Sequence, residues 1–326
     1  MKDVILQAEG LTKQFALEAG FFAKKDKQVF AVNGVSLAIE RGKTYGLVGE
    51  SGCGKTTTAR LLVGMYKADS GSVRFFGGGE AVELGSLNRS ELCSYREKVK
   101  YIFQDPSRSL NPRMSVYQIL TSPLKYSSQW RLKSHSAFKA QAREKAARIL
   151  QEIGLDAADL DRKPSEFSGG QRQRISIARG LILEPDVLIC DEVVSALDVS
   201  VQAQILNLLQ DLRERRGLSF LFIAHDLKVS CYFCDTIGVM YRGVIVEEAA
   251  AQELYKEALH PYTKTLFAGA LGNFKAQKTG EMKTLLESPT SCPFAHRCPV
   301  AKSKCFDQIP DLVAVAPGHK IRCFDV

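Results

Sequence analysis

Short apolar stretches alternate along the chain with longer stretches whose apolar positions recur at helical spacing. Strands are predicted at residues 43–48, 187–190 and 220–224, because each run is short, apolar and bounded by polar residues or glycine. A helix is predicted at residues 200–215, between the last two strands. A strand, a helix and a strand in succession are typical of a mostly parallel sheet covered by helices.

Two further patterns flank this series. Residues 4–15 alternate loosely as a strand, and residues 29–39 are predicted as a strand pair that turns at Asn33-Gly34, which indicates an antiparallel β subdomain. Residues 113–184 carry helical patterns rich in Ala, Arg, Lys, Glu and Leu. The fold class is therefore α/β, with a mostly parallel sheet and an inserted α-helical subdomain.

The pattern changes again near the C-terminal end. Residues 237–247 are predicted as a hairpin, and residues 252–271 as helix interrupted at His260-Pro261. We predict one domain at residues 1–250, with its helical subdomain at about 108–182. Residues 251–326 are predicted to form a small cysteine-rich extension.

Composition restricts the class of protein without naming a ligand. Of 326 residues, 45% are hydrophobic and 25% are charged, as in ordinary soluble globular proteins. Lys and Arg exceed Asp and Glu by 44 − 36 = 8, a moderate positive charge that selects neither nucleotide, lipid nor nucleic acid. There is no apolar run of about 18 residues and no secretory signal at the start, so we expect a cytosolic location.

The nine cysteines fall into two groups. Cytosolic thiols stay reduced, so a disulfide framework is not expected. Five cysteines are scattered along the chain as small core or loop residues. Four are crowded into the last 35 residues: Cys292, Cys298, Cys305 and Cys323.

Residues 49–56 follow a predicted strand, precede a predicted helix and have the spacing G-x-x-x-x-G-K-T of a P-loop. The candidate nucleotide-binding residues there are Gly49, Glu50, Ser51, Gly52, Cys53, Gly54, Lys55, Thr56 and Thr57. Backbone amides of such a turn and the helix N-terminus bind phosphates, Lys55 adds a positive charge, and Thr56 offers a hydroxyl to Mg²⁺.

A second candidate element is an apolar strand that ends in two carboxylates, Asp191 and Glu192. Asp191 is placed to hold Mg²⁺, directly or through water. Glu192 can polarise the attacking water as a general base.

A third element contains Ser168, Gly169, Gly170 and Gln171 at the start of a predicted helix. Two glycines at a helix start expose amides to an anion, and Ser168 adds a hydroxyl. Because this element lies over 100 residues from the first glycine-rich turn, we expect it to cap a nucleotide that another subunit holds.

Together these motifs resemble the nucleotide-binding subunits of ABC transporters. The segment FSGGQRQR is similar to the family signature LSGGQ, with Phe167 in place of Leu. The resemblance implies that Gln104 senses Mg²⁺ and the attacking water, that Asp198 belongs to the D-loop, and that His225 contacts the γ-phosphate. It also implies that Phe15 stacks on adenine.

For the active site, the resemblance implies a P-loop NTPase fold of the RecA-like type. The implied catalytic residues are Glu192, His225, Gln104 and Lys55, and the implied Mg²⁺ ligands are Thr56, Gln104 and Asp191. One departure is Val193-Val194, where the family usually has Pro-Thr or Pro-Val. The missing proline is expected to loosen the backbone behind Glu192.

Several longer segments resemble one branch of the family, the ATPases of bacterial dipeptide and oligopeptide importers, a branch shared with glutathione, nickel and metallophore importers. These segments are FQDPSRSLNPRMSV, FSGGQRQRISIARGLILEPDVLICDE, SALDVSVQAQILNLL and HPYTKTL. The resemblance implies import powered by ATP, a second ATPase subunit (a copy or a paralogue), two transmembrane permeases and an extracytoplasmic solute-binding protein. It places the chain peripherally on the cytoplasmic face of the bacterial inner membrane, without nucleic acid.

Two other functions are open alternatives. One is a non-transport ABC ATPase that acts on nucleic acid or ribosomes, although such proteins usually carry two ATPase domains or long inserts. The other is a non-catalytic regulatory subunit, against which the presence of Glu192 and His225 argues.

The four crowded cysteines have the spacing Cys-x₅-Cys-x₆-Cys-x₁₇-Cys. Four thiolates that converge suit a [4Fe–4S] cluster or Zn²⁺, and the absence of a CxxC pair weakens the zinc-finger interpretation. The resemblance to the importer branch implies the [4Fe–4S] cluster, bound by Cys292, Cys298, Cys305 and Cys323, with Zn²⁺ as the alternative.

Overall fold

The computed structural model describes residues 3–16, 28–127, 130, 134–270 and 290–325. It divides into two compact units. Unit 1 comprises Met1–Gly85 and Leu221–Val326, and unit 2 comprises Ser86–Phe220. Unit 2 is thus a continuous stretch of chain inserted between the two parts of unit 1.

Most of the described chain is regular secondary structure. The strands are β1 (Val4–Ala16), β2 (Gln28–Glu40), β3 (Thr44–Val48), β4 (Ser70–Gly78), β5 (Glu80–Glu83), β6 (Val99–Ile102), β7 (Val187–Asp191), β8 (Ser219–Ala224), β9 (Thr236–Tyr241), β10 (Val244–Ala250), β11 (Val313–Ala316) and β12 (His319–Ile321). The helices are α1 (Lys55–Leu62), α2 (Arg89–Lys98), α3 (Pro106–Ser109), α4 (Val116–Thr121), α5 (His135–Glu152), α6 (Gly169–Leu181), α7 (Val199–Arg216), α8 (Leu227–Phe233), α9 (Ala251–Lys256), α10 (Pro261–Ala270) and α11 (Lys304–Asp307). Short 3₁₀ helices occupy Leu84–Ser86, Ser122–Tyr126, Ala157–Asp161, Pro164–Glu166 and Ala295–Arg297.

Unit 1 contains an antiparallel sheet in the order β2-β1-β4-β5. Along β2, Val35, Leu37 and Ile39 are buried while Ser36 and Ala38 between them are exposed. This alternation is expected of a strand with one face on the core, because successive side chains point to opposite faces. The predicted antiparallel β subdomain is confirmed.

Unit 1 also contains strands in the order β11-β12-β10-β9-β3. β3 runs parallel to β9, while β9, β10, β12 and β11 pair antiparallel to one another, so this sheet is mixed. Every residue of β3 is buried, as is typical of a strand covered on both faces. The boundary between the two units falls within β8.

Unit 2 contains the parallel pair β6 and β7 with α2 to α7. All of β7 is buried, and α6 packs against β6 through Gly180, whose position lies close to Ile102. The predicted inserted helices are present as α4, α5 and α6, and the predicted helix at residues 200–215 is present as α7. Among the described helices, none combines the length and the apolar character that a bilayer crossing requires.

One predicted turn is wrong. Asn33-Gly34 does not separate two strands, because β2 runs without a break through both residues. Instead the register of β1 against β2 shifts there, with Leu11 opposite Val35 and Lys13 opposite Val32. Gly34 has a φ of 65°, so the Asn-Gly pair supplies the left-handed residue of a β-bulge rather than of a hairpin.

The C-terminal segment contributes strands that the sequence pattern did not predict. β11 and β12 extend the mixed sheet beyond β10, and Glu247 of β10 lies opposite Ile321 of β12. The side chain of Glu247 is fully buried. Its carboxylate accepts the N–H groups of Leu259 (2.8 Å) and His260 (3.1 Å) and lies 2.8 Å from Nε2 of His319.

The hydrogen bonds of Glu247 are expected to contribute to the free energy of unfolding. His319→Ala removes one hydrogen-bond partner from the buried side chain of Glu247, so it should lower the free energy of unfolding by about 1–3 kcal/mol, measured by urea denaturation. Lys320→Ala is the matched control, since Lys320 makes a partly exposed ion pair with Glu248 and its loss should cost about 0–1 kcal/mol. Equal midpoints for His319→Ala and the unsubstituted protein would contradict the prediction.

Candidate nucleotide-binding site

The glycine-rich turn between β3 and α1 is shaped by close backbone approaches. A Cβ at position 49 would lie 2.1 Å from the carbonyl oxygen of Met240, so only glycine fits there. Gly54 precedes α1 with a φ of 113°, a conformation that L side chains rarely adopt. The carbonyl of Cys53 accepts the N–H of Gly243 at 2.8 Å, which ties the turn to the β9–β10 hairpin.

Lys55 begins α1 with its side chain folded back into the turn. It is only 4% exposed, and its Nζ donates to the carbonyls of Gly49 (2.8 Å) and Glu50 (3.0 Å). Thr56 and Thr57 follow and are half-buried. A buried ammonium at the N-terminus of a helix creates a local positive field that suits a phosphate group.

The middle of the turn divides into exposed and buried residues. Ser51 and Gly52 are exposed, whereas Cys53 is buried and burial raises the pKa of its thiol. The N–H of Cys53 donates to the carbonyl of Glu50 at 3.3 Å. Cys53 therefore serves the turn as a neutral core residue and not through its side chain as a ligand.

Glu50 has two hydrogen-bond partners, Tyr262 and Arg297, that were not predicted as site residues. Its N–H donates to the hydroxyl of Tyr262 at 2.9 Å, and its carboxylate accepts two hydrogen bonds from Arg297, each 2.9 Å. The segment HPYTKTL contains Tyr262, but there it served only as a marker of the family branch. No local signal indicates Arg297, which lies 247 residues away along the chain.

Two other predicted site residues lie in unit 1. His225 is exposed directly after β8, before Asp226, which caps α8 by accepting the N–H of Lys228 at 2.8 Å. Phe15 is half-buried near the end of β1 and makes an edge-to-face contact with Tyr66, with ring centroids 5.4 Å apart. The roles given to His225 and Phe15 stay predictions.

In unit 2, the structure brings Gln104 and the strand-end carboxylates together. Gln104 Nε2 donates to Glu192 Oε2 at 2.7 Å, and the hydroxyl of Tyr101 donates to Asp191 Oδ2. Because β6 and β7 are parallel neighbours, the residues that follow them meet at one edge of the pair. Tyr101 was missed because a tyrosine within an apolar strand is usually a core residue. Clustered carboxylate and amide oxygens are the donors that Mg²⁺ prefers.

The backbone around Glu192 is held despite the missing proline. Glu192 has a φ of 50°, in the left-handed region, and its carbonyl accepts both the N–H (3.1 Å) and the hydroxyl (2.9 Å) of Ser195. Val193 and Val194 are 2% and 3% exposed. Hydrogen bonds and apolar burial thus fix the segment that the loss of proline is expected to loosen.

The start of α6 is a capping box. Ser168 Oγ accepts the N–H of Gln171 at 3.3 Å, and Gln171 Oε1 accepts the N–H of Ser168 at 2.9 Å. Phe167, which replaces the leucine of the family signature, is buried beneath the guanidinium of Arg162. The serine hydroxyl that we expect to meet phosphate therefore also caps its own helix.

The two glycines of α6 differ in their surroundings. A Cβ at position 170 would lie 2.6 Å from Cγ1 of Val201, whereas a Cβ at position 169 would meet nothing within 4 Å. Val201 belongs to α7, whose N-cap is Asp198. Asp198 accepts the N–H of Val201 at 3.0 Å, and this bond lowers the pKa of the carboxyl. Gly170 therefore permits the close approach of α7.

The four crowded cysteines are neighbours within unit 1. Burial raises the pKa of Cys292 and of Cys298, and the nearby thiols of Cys305 and Cys323 raise both further. Each of the four sulfurs accepts a backbone N–H. The donor is Phe294 for Cys292 and Val300 for Cys298. It is Lys302 for Cys305 and Asp325 for Cys323. Among the described residues, however, no group of three or more His, Cys, Asp or Glu side chains is arranged to hold a metal ion.

The glycine-rich turn and the lysine that follows its last glycine, at the junction of a buried strand and a helix, define a P-loop NTPase. A model of the ABC transporter family matches residues 32–195, and a model of the oligopeptide/dipeptide transporter C-terminal region matches residues 246–305. The chain therefore belongs to the ATP-binding proteins of the ABC transporter family.

Full-length relatives agree with this assignment. The chain is 40% identical over 331 residues to the oligopeptide transport ATP-binding protein AppF of Bacillus subtilis strain 168, covering 99% of this chain and 97% of the relative. It is 41% identical over 329 residues to the dipeptide transport ATP-binding protein DppF of Haemophilus influenzae, with 99% and 97% covered.

Solved structures confirm the ABC ATPase cassette fold. The dimeric post-hydrolysis state of the ATP-binding cassette MJ0796, bound to ADP and Pi, is similar with a TM-score of 0.63 at 25% identity. The match covers 76% of this chain and 99% of that one. ATP-binding proteins of ABC transporters are ATPases coupled to transport, so the predicted enzyme class is confirmed, with ATP and Mg²⁺ as its expected ligands. The relatives support a transport ATPase over one that acts on nucleic acid or ribosomes.

The two glycines of α6 provide a matched prediction. Gly170→Ala should lower the free energy of unfolding by about 1–3 kcal/mol, because its methyl group overlaps Val201, a β-branched residue that cannot turn aside easily. Gly169→Ala should leave it unchanged or slightly raised, because the position is open. Thermal and urea unfolding of both variants measure the difference, and equal stabilities would contradict the close contact.

Proposed function

We propose that this chain powers the import of peptides or related small solutes across the cytoplasmic membrane. The observation that carries the proposal is the presence of both family matches on one chain, the cassette at residues 32–195 and the oligopeptide/dipeptide C-terminal region at residues 246–305. Relatives that align over nearly the whole chain are named as oligopeptide and dipeptide transport proteins. The cargo class includes dipeptides, oligopeptides and the glutathione, nickel and metallophore cargoes of the same branch.

The chain acts within a larger assembly. One ATPase pairs with a second, a copy or a paralogue, on the cytoplasmic face of the membrane. Two transmembrane permeases form the passage, and an extracytoplasmic protein delivers the solute. The ATPase domain takes up residues 1–250, and residues 251–326 form the extension of the importer branch. Recovery of the chain with multi-span membrane proteins, and not with nucleic acid, tests this part of the proposal.

The predicted site residues have distinct proposed roles in the binding and hydrolysis of ATP. Lys55 and the turn amides bind the phosphates of ATP, while Phe15 stacks on adenine and His225 contacts the γ-phosphate. Thr56, Asp191 and Gln104 hold Mg²⁺. Glu192 accepts a proton from the attacking water, and its bond from Gln104 at 2.7 Å supports a shared role in orienting that water.

The N-terminus of the helix that begins at Gly169 binds the ATP that the second ATPase subunit holds. In support, Gly169 has open space around it, and the amides at the start of α6 lie at the positive end of the helix dipole. The γ-phosphate of ATP then bridges two subunits, and hydrolysis removes the bridge and reopens the pair.

Substitution of the proposed base tests the mechanism. Glu192→Gln should lower steady-state ATPase activity by at least about a hundredfold while ATP remains bound, because an amide cannot accept the proton. Phosphate release and retention of ATP on the protein are measured together. Glu214→Gln, at an exposed position of α7, is the control and should hydrolyse ATP normally. Persistent turnover in Glu192→Gln would show that another group is the base.

The cysteines of the extension bind a [4Fe–4S] cluster in the proposed assembly. The donor set fits chemically, since four neighbouring thiols occur together and each sulfur accepts a backbone N–H, a kind of bond that tunes cluster potentials. Among the described residues no group of three or more such side chains is arranged to hold a metal ion, so cluster binding requires the cysteine side chains to rearrange. When bound, the cluster supplies a covalent crosslink between the two ends of the segment; Zn²⁺ is the alternative.

Metal content distinguishes the two possibilities. Protein purified without oxygen should be brown and should contain iron and acid-labile sulfide in equal amounts, both lost in Cys305→Ser. Cys93→Ser is the control, because Cys93 is exposed on α2, outside the extension. A colourless protein that carries zinc in place of iron would contradict the cluster.

A further inference from the structure

Glu50, in the glycine-rich turn, contacts residues outside the turn, and the chemistry of ATP hydrolysis does not explain these contacts. Its N–H, its carboxylate and its carbonyl all have partners: Tyr262, Arg297 and Lys55 respectively. Two of these partners belong to the C-terminal part of the chain, which binds no part of the nucleotide in the mechanism above. All of these residues lie in unit 1.

Tyr262 is a rigid acceptor for the backbone of Glu50. It is fully buried, with its ring 4.6 Å from Tyr241 and 5.4 Å from Phe294 between centroids. Its own N–H donates to Nδ1 of His260 at 3.0 Å. Burial raises the pKa of Tyr262, so the hydroxyl stays neutral at physiological pH. This gives the His260-Pro261-Tyr262 segment a structural task, which is to fix a hydroxyl beside the turn.

Arg297 holds the carboxylate of Glu50 from the other direction. Nη1 and Nη2 each donate to a different carboxylate oxygen at 2.9 Å, which is the bidentate geometry that only arginine provides. The guanidinium is itself held, with Nη1 3.3 Å from the hydroxyl of Tyr241 and the group 5.9 Å from the ring of Phe294. The side chains of Arg297 and Glu50 are 14% and 29% exposed, so water screens this pair only in part.

Glu50 connects these contacts directly to Lys55, the lysine that binds its carbonyl. The carbonyl of Glu50, which is joined through the same Cα to the anchored N–H and side chain, accepts a hydrogen bond from the ammonium of Lys55 at 3.0 Å. A shift of Glu50 therefore moves one of the acceptors that orient Lys55. Arg297 also directly precedes Cys298, so it joins the cysteine segment to the turn.

We propose that Arg297 and Tyr262 are positioning residues that hold Glu50, and through it the phosphate-binding turn, in its binding conformation. The C-terminal segment thereby sets the affinity for ATP without touching the nucleotide. A pre-formed turn has less conformational freedom to lose on binding, so removal of either contact weakens binding more than it slows the chemical step.

The test uses the full-length chain with ATP and Mg²⁺. Arg297→Gln removes the fork and the charge, and it should raise the Kd for ATP, measured calorimetrically, by about tenfold, within the usual range for coupling between sites. Arg297→Lys keeps the positive charge but loses the two parallel hydrogen bonds, so its Kd for ATP should lie between that of the unsubstituted protein and that of Arg297→Gln. Tyr262→Phe keeps the ring and removes only the acceptor of the Glu50 N–H, and it should raise the Kd by about threefold. The kcat of each variant, measured at saturating ATP, should change by a smaller factor than its KM for ATP.

A double-mutant cycle separates positioning from general stabilisation. Glu50→Gln alone should raise the Kd, and Glu50→Gln combined with Arg297→Gln should raise it no further, because both remove the same contact. Arg322→Gln is the matched control: the Arg322 side chain donates to the carbonyls of Ile245 and Pro310, neither of which belongs to the turn, and the substitution leaves the Arg322 backbone unchanged. It should lower the melting temperature and leave the Kd for ATP unchanged.

Three results would overturn the proposal. The Arg297 and Tyr262 variants could bind ATP as the unsubstituted protein does, the Glu50 and Arg297 effects could add, or Arg322→Gln could raise the Kd as much as Arg297→Gln. Failure of Arg297→Gln to fold leaves Arg297→Lys, Tyr262→Phe and Glu50→Gln to decide. Absence of ATP binding by the unsubstituted protein would instead contradict the proposed function.

Discussion

The close approach between Gly49 and the carbonyl of Met240 is the contact on which the nucleotide-binding turn depends. It follows from the parallel pairing of β3 with β9, in which Val48 lies opposite Val239 and the next residues face each other. A side chain at position 49 would collide with this carbonyl, so the chain can leave β3 in this direction only at glycine. Strand pairing, a property of the sheet, thus determines the path of the turn that binds phosphate.

The same turn solves the problem of burying an ammonium group. Lys55 is nearly enclosed, and a buried charge is costly unless it has hydrogen-bond partners. The carbonyls of Gly49 and Glu50 provide them, and both belong to the turn itself. A bond from the ammonium to a phosphate oxygen joins two charged groups, and it is therefore stronger than a bond from the same ammonium to a neutral carbonyl. The two carbonyls therefore orient the Lys55 ammonium, and a bound phosphate can replace them as its hydrogen-bond acceptor.

Local features of the sequence predicted the turn and its surroundings well. The spacing of glycines and lysine, the strand before it and the helix after it all lie within about one supersecondary unit, so residues 43–62 could be interpreted without knowledge of the rest. The strand that ends at Asp191 was equally clear. Its link to Gln104, across 88 residues, came only from the family resemblance.

Other features could not be predicted because their signals are not local. Asn33-Gly34 suits both a hairpin turn and a bulge, and only the pairing of β2 with β1 decides between them. Tyr101 resembles any core tyrosine until its hydroxyl is seen at Asp191. Arg297 resembles any basic residue of a loop, since nothing near it in sequence indicates Glu50.

The distance along the chain between Glu50 and Arg297 has a consequence for biosynthesis. Translation at about 5–20 residues per second needs about 12–50 s to cover the 247 residues between them. Unit 2 is continuous and can fold on the ribosome during that time, while unit 1 waits for its second part. A polypeptide released before residue 297 would carry every motif of the ATP site and still lack the guanidinium that holds the turn.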